Sequence, residues 1–156
     1  TGVGAETGER LLKVHRYVED APAFFLTYAD GVSNVPVGSI LDAHRASGRL
    51  ATMTCVRPRT HYGLVDVAEG GLVAAYREKP SLGAVVNGGF FALGQGVFDH
   101  VRGGEAFERE PLQRLILAEE LGAYAHDGFW ACMDTYKDCQ ELNDMWARGR
   151  APWRVW

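Results

Sequence analysis

The chain has 156 residues, 47% of them hydrophobic and 23% charged, with a formal net charge of -4 and a sequence pI near 5.7. That is the size and composition of one globular domain, so residues 1–156 read as a single domain, and both a disordered polypeptide and a small disulfide-held scaffold are excluded. The mild acidity offers no electrostatic footprint for nucleic acid, and no apolar run approaches the ~18 residues of a membrane-spanning helix.

Residues 9–18 place Leu11, Val14, His15 and Val18 on one helical face, with charges opposite. Thr7 is a candidate N-cap, supported by Glu9 in the first turn. Asp20-Ala21-Pro22 ends this helix, because a residue before proline is pushed out of the helical region. Residues 23–28, AFFLTY, form a short continuous apolar run that suits a strand buried on both faces, as in a parallel sheet with helices on each side. It stops at Ala29-Asp30-Gly31. A carboxylate just past a strand's carboxyl end is where open α/β sheets put ligand chemistry; it is also an ordinary turn residue before glycine, and both readings stand at this point.

Residues 37–47 read as a helix with Gly48 as its stop, and residues 50–56, LATMTCV, as the next strand. Strand, helix, strand is the crossover unit of a parallel sheet. Residues 62–67 and 72–76 read as a hairpin around Glu69-Gly70-Gly71, delivering Arg77-Glu78-Lys79-Pro80 at its end. Residues 84–93, AVVNGGFFAL, are two apolar pieces interrupted by Asn87-Gly88-Gly89, where glycine marks a bulge or a close backbone approach. Residues 111–121 read as a helix with Pro111 at its start and Gly122 after it. Residues 123–133 read as a strand with an irregular Gly128 that delivers Asp134, and residues 135–148 as the last helix. Ahead of that helix, Asp134 also fits an N-cap.

Cys55, Cys132 and Cys139 are odd in number and form no CxxC pair, which points to reduced thiols, a cytoplasmic setting and a packing role. His15, His44, His61, His100 and His126 show no zinc spacing and read as surface or helix-face residues. The tryptophans read as core or interface anchors. What remains is polar chemistry at strand ends. Two carboxylates, Asp30 and Asp134, can converge on one hard cation such as Mg²⁺, and a lysine beside them is a point-charge phosphate binder, while Glu78 and Lys79 read equally as solvated charges at the hairpin end.

Taken in order, the strings TGERLLKVHRYV, FFLTYADGVSNV, AHRASGRLATMT, YGLVDV, REKP, VNGGFFAL, FEREPLQRL, DGFWACMDTYKD and GRAPW closely resemble the sugar-phosphate nucleotidyltransferases, within them the glucose-1-phosphate cytidylyltransferase branch. The resemblance runs over essentially the whole chain. It implies an α/β fold of three layers, a mainly parallel mixed sheet flanked by helices, and the Mg²⁺-dependent reaction of CTP with glucose 1-phosphate to give CDP-glucose and pyrophosphate. The sugar phosphate is already an oxyanion, so the chemistry rests on positioning and charge neutralisation rather than on a strong base.

The resemblance also implies roles. Asp30 in TYADG and Asp134 in MDT match the metal-binding carboxylates. Lys79 in EKP matches the lysine that holds the sugar phosphate, and Glu78 its neighbour on the sugar hydroxyls. Asn87 and Gly88 match the loop against the sugar, and Arg10 in GER faces the nucleotide. Asn34 stands where the family usually has Asp, and Ala29 where it usually has Gly, a change that bears on the backbone at the metal site. The family's opening GGxGTRL loop, which cradles the triphosphate and reads the base, is not among these residues, and Thr1 is not Met. The expectation is therefore the C-terminal part of such an enzyme, inactive without that loop, with the AFFLTY strand lacking one neighbour. A homo-oligomer is expected, with no membrane or nucleic-acid partner. The alternative is a truncated, non-catalytic sugar-phosphate-binding, regulatory or oligomerisation subunit.

Overall fold

The structure is a computed structural model that describes residues 1–156 except His61 and Leu82, so the surface reading of His61 lies outside the described residues. A helix α1 (Thr7–Val14) and a short 3-10 turn lead into strand β1 (Ala23–Thr27). Then come β2 (Gly31–Ser33), α2 (Val37–Ser47), β3 (Ala51–Val56), the hairpin β4 (Leu64–Val67) and β5 (Val73–Arg77), and β6 (Val86–Gly94). The chain finishes with α3 (Glu110–Leu117), β7 (Leu121–His126), β8 (Trp130–Cys132) and α4 (Tyr136–Ala147). None of the described helices is long and apolar enough to cross a membrane.

The central sheet has the order β1-β6-β3-β7. β6 is antiparallel to both β1 and β3, and β3 is parallel to β7, so three strands point one way and β6 the other. Both faces are covered, because side chains alternate across a strand. Along β6, Phe91 and Leu93 enter a core with Leu11, Val97, Val101, Phe107, Leu112 and Leu115, while Ala92 faces Val35 and Ile40 under α2. That is the three-layer mixed architecture expected from the sequence.

The local differences have physical causes. β1 is a sheet edge among the described residues and not a doubly buried strand: Phe24 and Leu26 pack on the core, whereas Phe25 stays 48% exposed. β1 and β3 run the same way but β6 lies between them, so the crossover skips one strand. Asn87-Gly88-Gly89 does not break β6. The ladder shifts between Met53↔Phe91 and Cys55↔Asn87, a bulge that Gly89 absorbs with φ +76°. Thr7 is not an N-cap; Glu6 holds that position, and Thr7 Oγ1 instead accepts from the Phe107 backbone N–H at 2.8 Å. α3 stops at Leu117, where Glu119 takes a left-handed conformation (φ +59°), so Gly122 falls inside β7. The segment around Gly128 splits the expected last strand into β7 in the central sheet and β8 in a two-stranded sheet with β2. The hairpin forms as read, with Gly70 and Gly71 at positive φ, but all of β4 and most of β5 are exposed.

Candidate functional site

The β2–β8 ribbon carries the site. β2 follows directly on Asp30, and β8 runs into Met133 and Asp134. Their register pairs Gly31 with Cys132, and the Met133 N–H donates to the Asp30 carbonyl at 2.8 Å, which locks the two strand ends side by side. One ligand-type atom from each of Asp30, Cys132 and Asp134 then lies within 4.8 Å of the others. Asp30 and Asp134 are exposed and the Cys132 side is half-buried. The Cys132 thiol donates to Asp134 Oδ1 at 3.2 Å. Burial, that hydrogen bond and the two neighbouring carboxylates push the thiol up to about 11. The same negative field is one that a divalent cation relieves. Two carboxylates that open to water are a donor set that fits Mg²⁺, which keeps several waters and takes one or two protein carboxylates.

Cys132 therefore departs from the packing role expected of it. Its separation of two residues from Asp134 is visible in the sequence, but that spacing alone does not mark a site; the β2–β8 register does, by setting Asp30 beside both. Asp134 does not cap the last helix. Thr135 does, its Oγ1 accepting from the Asp138 N–H while the Asp138 carboxylate accepts from the Thr135 N–H. That reciprocal cap fixes the chain just after Asp134 and leaves the Asp134 carboxylate for other work.

The β6 bulge lies against the same ribbon. Trp130 on β8 donates its indole N–H to the Gly88 carbonyl at 2.7 Å. The Asn87 side-chain carbonyl accepts from the Gly89 N–H at 2.8 Å, and its amide donates to the Tyr28 hydroxyl at 3.3 Å. Tyr28 precedes Asp30 by two residues and its N–H bonds to the Gly89 carbonyl, so the strand leading to Asp30 and the bulge are stitched together. Burial raises the Tyr28 phenol, with the Glu108 carboxylate adding to the shift, so it stays a neutral hydrogen-bonding group. Tyr28 and Trp130 are positioning residues that sequence reading left in packing roles.

The other expected site residues sit apart. Glu78 and Lys79 are exposed beyond the end of β5. Glu78 accepts a short hydrogen bond from the Tyr76 hydroxyl, and the Lys79 carbonyl accepts from Arg59 Nε at 3.3 Å. Lys79 has φ +43°, an uncommon conformation for a lysine. Among the described residues no hydrogen bond or ion pair joins either one to Asp30 or Asp134. Arg10 folds back on the amino-terminal segment, donating to the Ala5 carbonyl at 2.8 Å.

Asn34 is engaged away from the carboxylates. Its Oδ1 accepts from His126 Nε2 at 3.0 Å, and its N–H donates to the Phe129 carbonyl. His126 is thus a buried strand residue and not a surface one. Ala29 is not at positive φ, so the Gly-to-Ala departure leaves the backbone beside Asp30 unstrained.

Comparison with known proteins adds the relatives. The Nucleotidyl transferase family model matches residues 4–144. The chain is 41% identical over its whole length to the glucose-1-phosphate cytidylyltransferase of Salmonella typhi, and 39% identical to a probable glucose-1-phosphate cytidylyltransferase of Bacillus subtilis. It spans 61% of the length of each of those two proteins. Among solved structures, it resembles HddC from Yersinia pseudotuberculosis with a TM-score of 0.66 at 14% identity, over 94% of this chain and 64% of that one. A putative glucose-1-phosphate thymidylyltransferase from Bacillus anthracis superposes with a TM-score of 0.67 at 12% identity, over 96% and 63%. At such identities these two likenesses show the fold.

Proposed function

The chain belongs to the nucleotidyl transferase family, and from that premise we propose that it carries the cation-holding half of a Mg²⁺-dependent sugar-phosphate cytidylyltransferase that makes CDP-glucose and pyrophosphate from CTP and glucose 1-phosphate. The observation that carries this reading is the convergence of Asp30 and Asp134 on the β2–β8 ribbon. The full-length identity to relatives named for that activity supports the choice of CTP and glucose 1-phosphate.

Mg²⁺ held there supplies charge neutralisation for the triphosphate and for the departing pyrophosphate. Asp30 and Asp134 bind it. The bulge at Asn87 and Gly88 forms a fixed wall for the sugar, its backbone tied down by Trp130 and Tyr28. Lys79 takes the sugar phosphate as a point charge, and Glu78 accepts from the sugar hydroxyls. An oxygen of the sugar phosphate attacks the α-phosphorus of CTP in line with the leaving pyrophosphate. No side chain has to remove a proton, because the sugar phosphate is already an oxyanion.

The test pairs turnover with binding. Pyrophosphate release from CTP and glucose 1-phosphate is measured with and without Mg²⁺, and Mn²⁺ binding is followed as a spectroscopic stand-in for Mg²⁺. Asp30→Asn and Asp134→Asn should each weaken Mn²⁺ binding by at least about tenfold, the loss typical when a metal site is disturbed. Unchanged Mn²⁺ affinity in both variants would sink the assignment.

A further inference from the structure

We infer that Cys132 is a third donor at the cation site between Asp30 and Asp134, and that through its sulfur the site takes a thiophilic divalent cation, Zn²⁺ or Cd²⁺, as an occupant competing with Mg²⁺. This rests on the reading of Asp30 and Asp134 as a cation-holding pair. It goes beyond that reading, because two carboxylates alone do not select a soft metal.

The geometry is specific to these three side chains. Cys132 ends β8 directly opposite Gly31, the residue after Asp30, and stands two residues before Asp134, to whose carboxylate its thiol donates. Its sulfur lies 3.2 Å from an Asp134 oxygen and within 4.8 Å of the Asp30 donor. The Met133–Asp30 backbone bond and the β2–β8 ladder hold the backbone at this approach. Modest rotation of the two exposed carboxylates closes the set on an ion with bonds of about 2.0–2.3 Å.

The metals divide by chemistry. Mg²⁺ asks for oxygen in an octahedral shell, gains little from sulfur and is served by the carboxylates and water. Zn²⁺ and Cd²⁺ prefer thiolate, and for zinc three protein donors leave a fourth position in a tetrahedral shell for water or a phosphate oxygen. As the metal–sulfur bond forms, the thiol proton passes to solvent, and no oxidation is involved. Cys55 and Cys139 are not part of this group, so the sulfur preference is tied to one residue.

The experiment titrates Cd²⁺ into the chain and reads the sulfur-to-cadmium charge-transfer absorbance, with Mn²⁺ binding measured in parallel. The band should saturate at a single equivalent in the parent chain and in Cys55→Ser and Cys139→Ser. It should vanish in both Cys132→Ser and Cys132→Ala, with circular dichroism confirming that these remain folded. Asp134→Asn should keep the band but weaken Cd²⁺ affinity at least about tenfold. A band that survives in the Cys132 variants overturns the inference, and so does an affinity indifferent to Asp134. The underlying reading is judged separately by Mn²⁺. Binding retained in Cys132→Ser and lost in Asp30→Asn and Asp134→Asn upholds the carboxylate pair, whatever Cd²⁺ does.

Discussion

Gly89→Ala should be among the most damaging small substitutions in this chain, and its cost can be worked from two separable terms. Gly89 sits in the β6 bulge at φ +76°, and a Cβ there would lie 2.8 Å from Tyr28 Cδ2. The backbone term is isolated by Gly48→Ala, at the C-cap of α2, where φ is +65° and an added Cβ meets nothing within 4 Å. The left-handed conformation costs a non-glycine residue roughly 1–2 kcal/mol, and the stiffer unfolded chain returns ~0.4–1 kcal/mol of it, leaving about 1 kcal/mol. At Gly89, overpacking against the Tyr28 ring adds roughly 1–3 kcal/mol, for a total of about 2–4 kcal/mol. The ring cannot swing away freely, because its backbone N–H bonds the Gly89 carbonyl and its hydroxyl accepts from Asn87. Urea unfolding followed by tryptophan fluorescence measures both variants. If Gly89→Ala costs no more than Gly48→Ala, the close packing of Tyr28 on the bulge is refuted, and with it the stitching of the Asp30 strand to β6.

Thr135→Ala removes the reciprocal cap at the start of α4 and should cost about 1 kcal/mol by the same unfolding assay. His44 is buried against Thr52, its ring Nδ1 lying 3.1 Å from the hydroxyl, and burial together with the Arg45 charge lowers its pKa below the ordinary 6.5. Its unfolded form therefore takes up a proton first as pH falls. The stability it contributes is fully present above 6.5 and is lost progressively below it, so His44→Gln should flatten the acid limb of a stability-versus-pH curve from there downward. Hydrogen exchange should find the β4–β5 amides among the fastest of the strand amides and those of β3 among the slowest, since β3 pairs on both sides within the central sheet and the hairpin pairs only with itself.

The fold was legible where periodicity and burial agree. Residues of α2 and β3 read correctly, because each has two covered faces or one clear apolar stripe and ends at a turn residue. The strand over AFFLTY was legible as a strand from its residues, and as an edge only through the resemblance, which implied a missing neighbour: composition records how apolar a segment is, not which neighbour it has. Likewise β7 and β8 read as one strand, since nothing local in Asp127-Gly128-Phe129 says that the chain leaves one sheet for another. Glu119 at positive φ is invisible to sequence rules, which assign such positions to glycine or asparagine. For the site, Asp30 and Asp134 stood out as carboxylates at strand ends. Cys132 did not, because a half-buried cysteine is ordinary by composition and acquires meaning only from what the β2–β8 register sets beside it.

That register also explains why the candidate site is built in two parts of unequal rigidity. Asp30, Cys132, Asp134 and the bulge at Gly88 are tied to one another by backbone and indole hydrogen bonds, and through β6 to the buried core of the sheet. Glu78 and Lys79 are carried by a hairpin whose strands pair only with each other, and such a two-stranded unit is marginal without further packing. Among the described residues it is braced by the paired contact of Arg77 with Asp66, at 2.7 and 3.0 Å, and both partners are exposed. Exposed ion pairs of this kind contribute about 0–1 kcal/mol, too little to make the hairpin itself rigid. The proposed cation site needs the backbone that carries its donors held in place, and the Met133–Asp30 bond with the β2–β8 ladder does this. In the proposed role, a lysine that meets a phosphate as a point charge needs less exact placement than a set of metal donors does. The division of rigidity between the two halves therefore follows the division of their proposed chemistry.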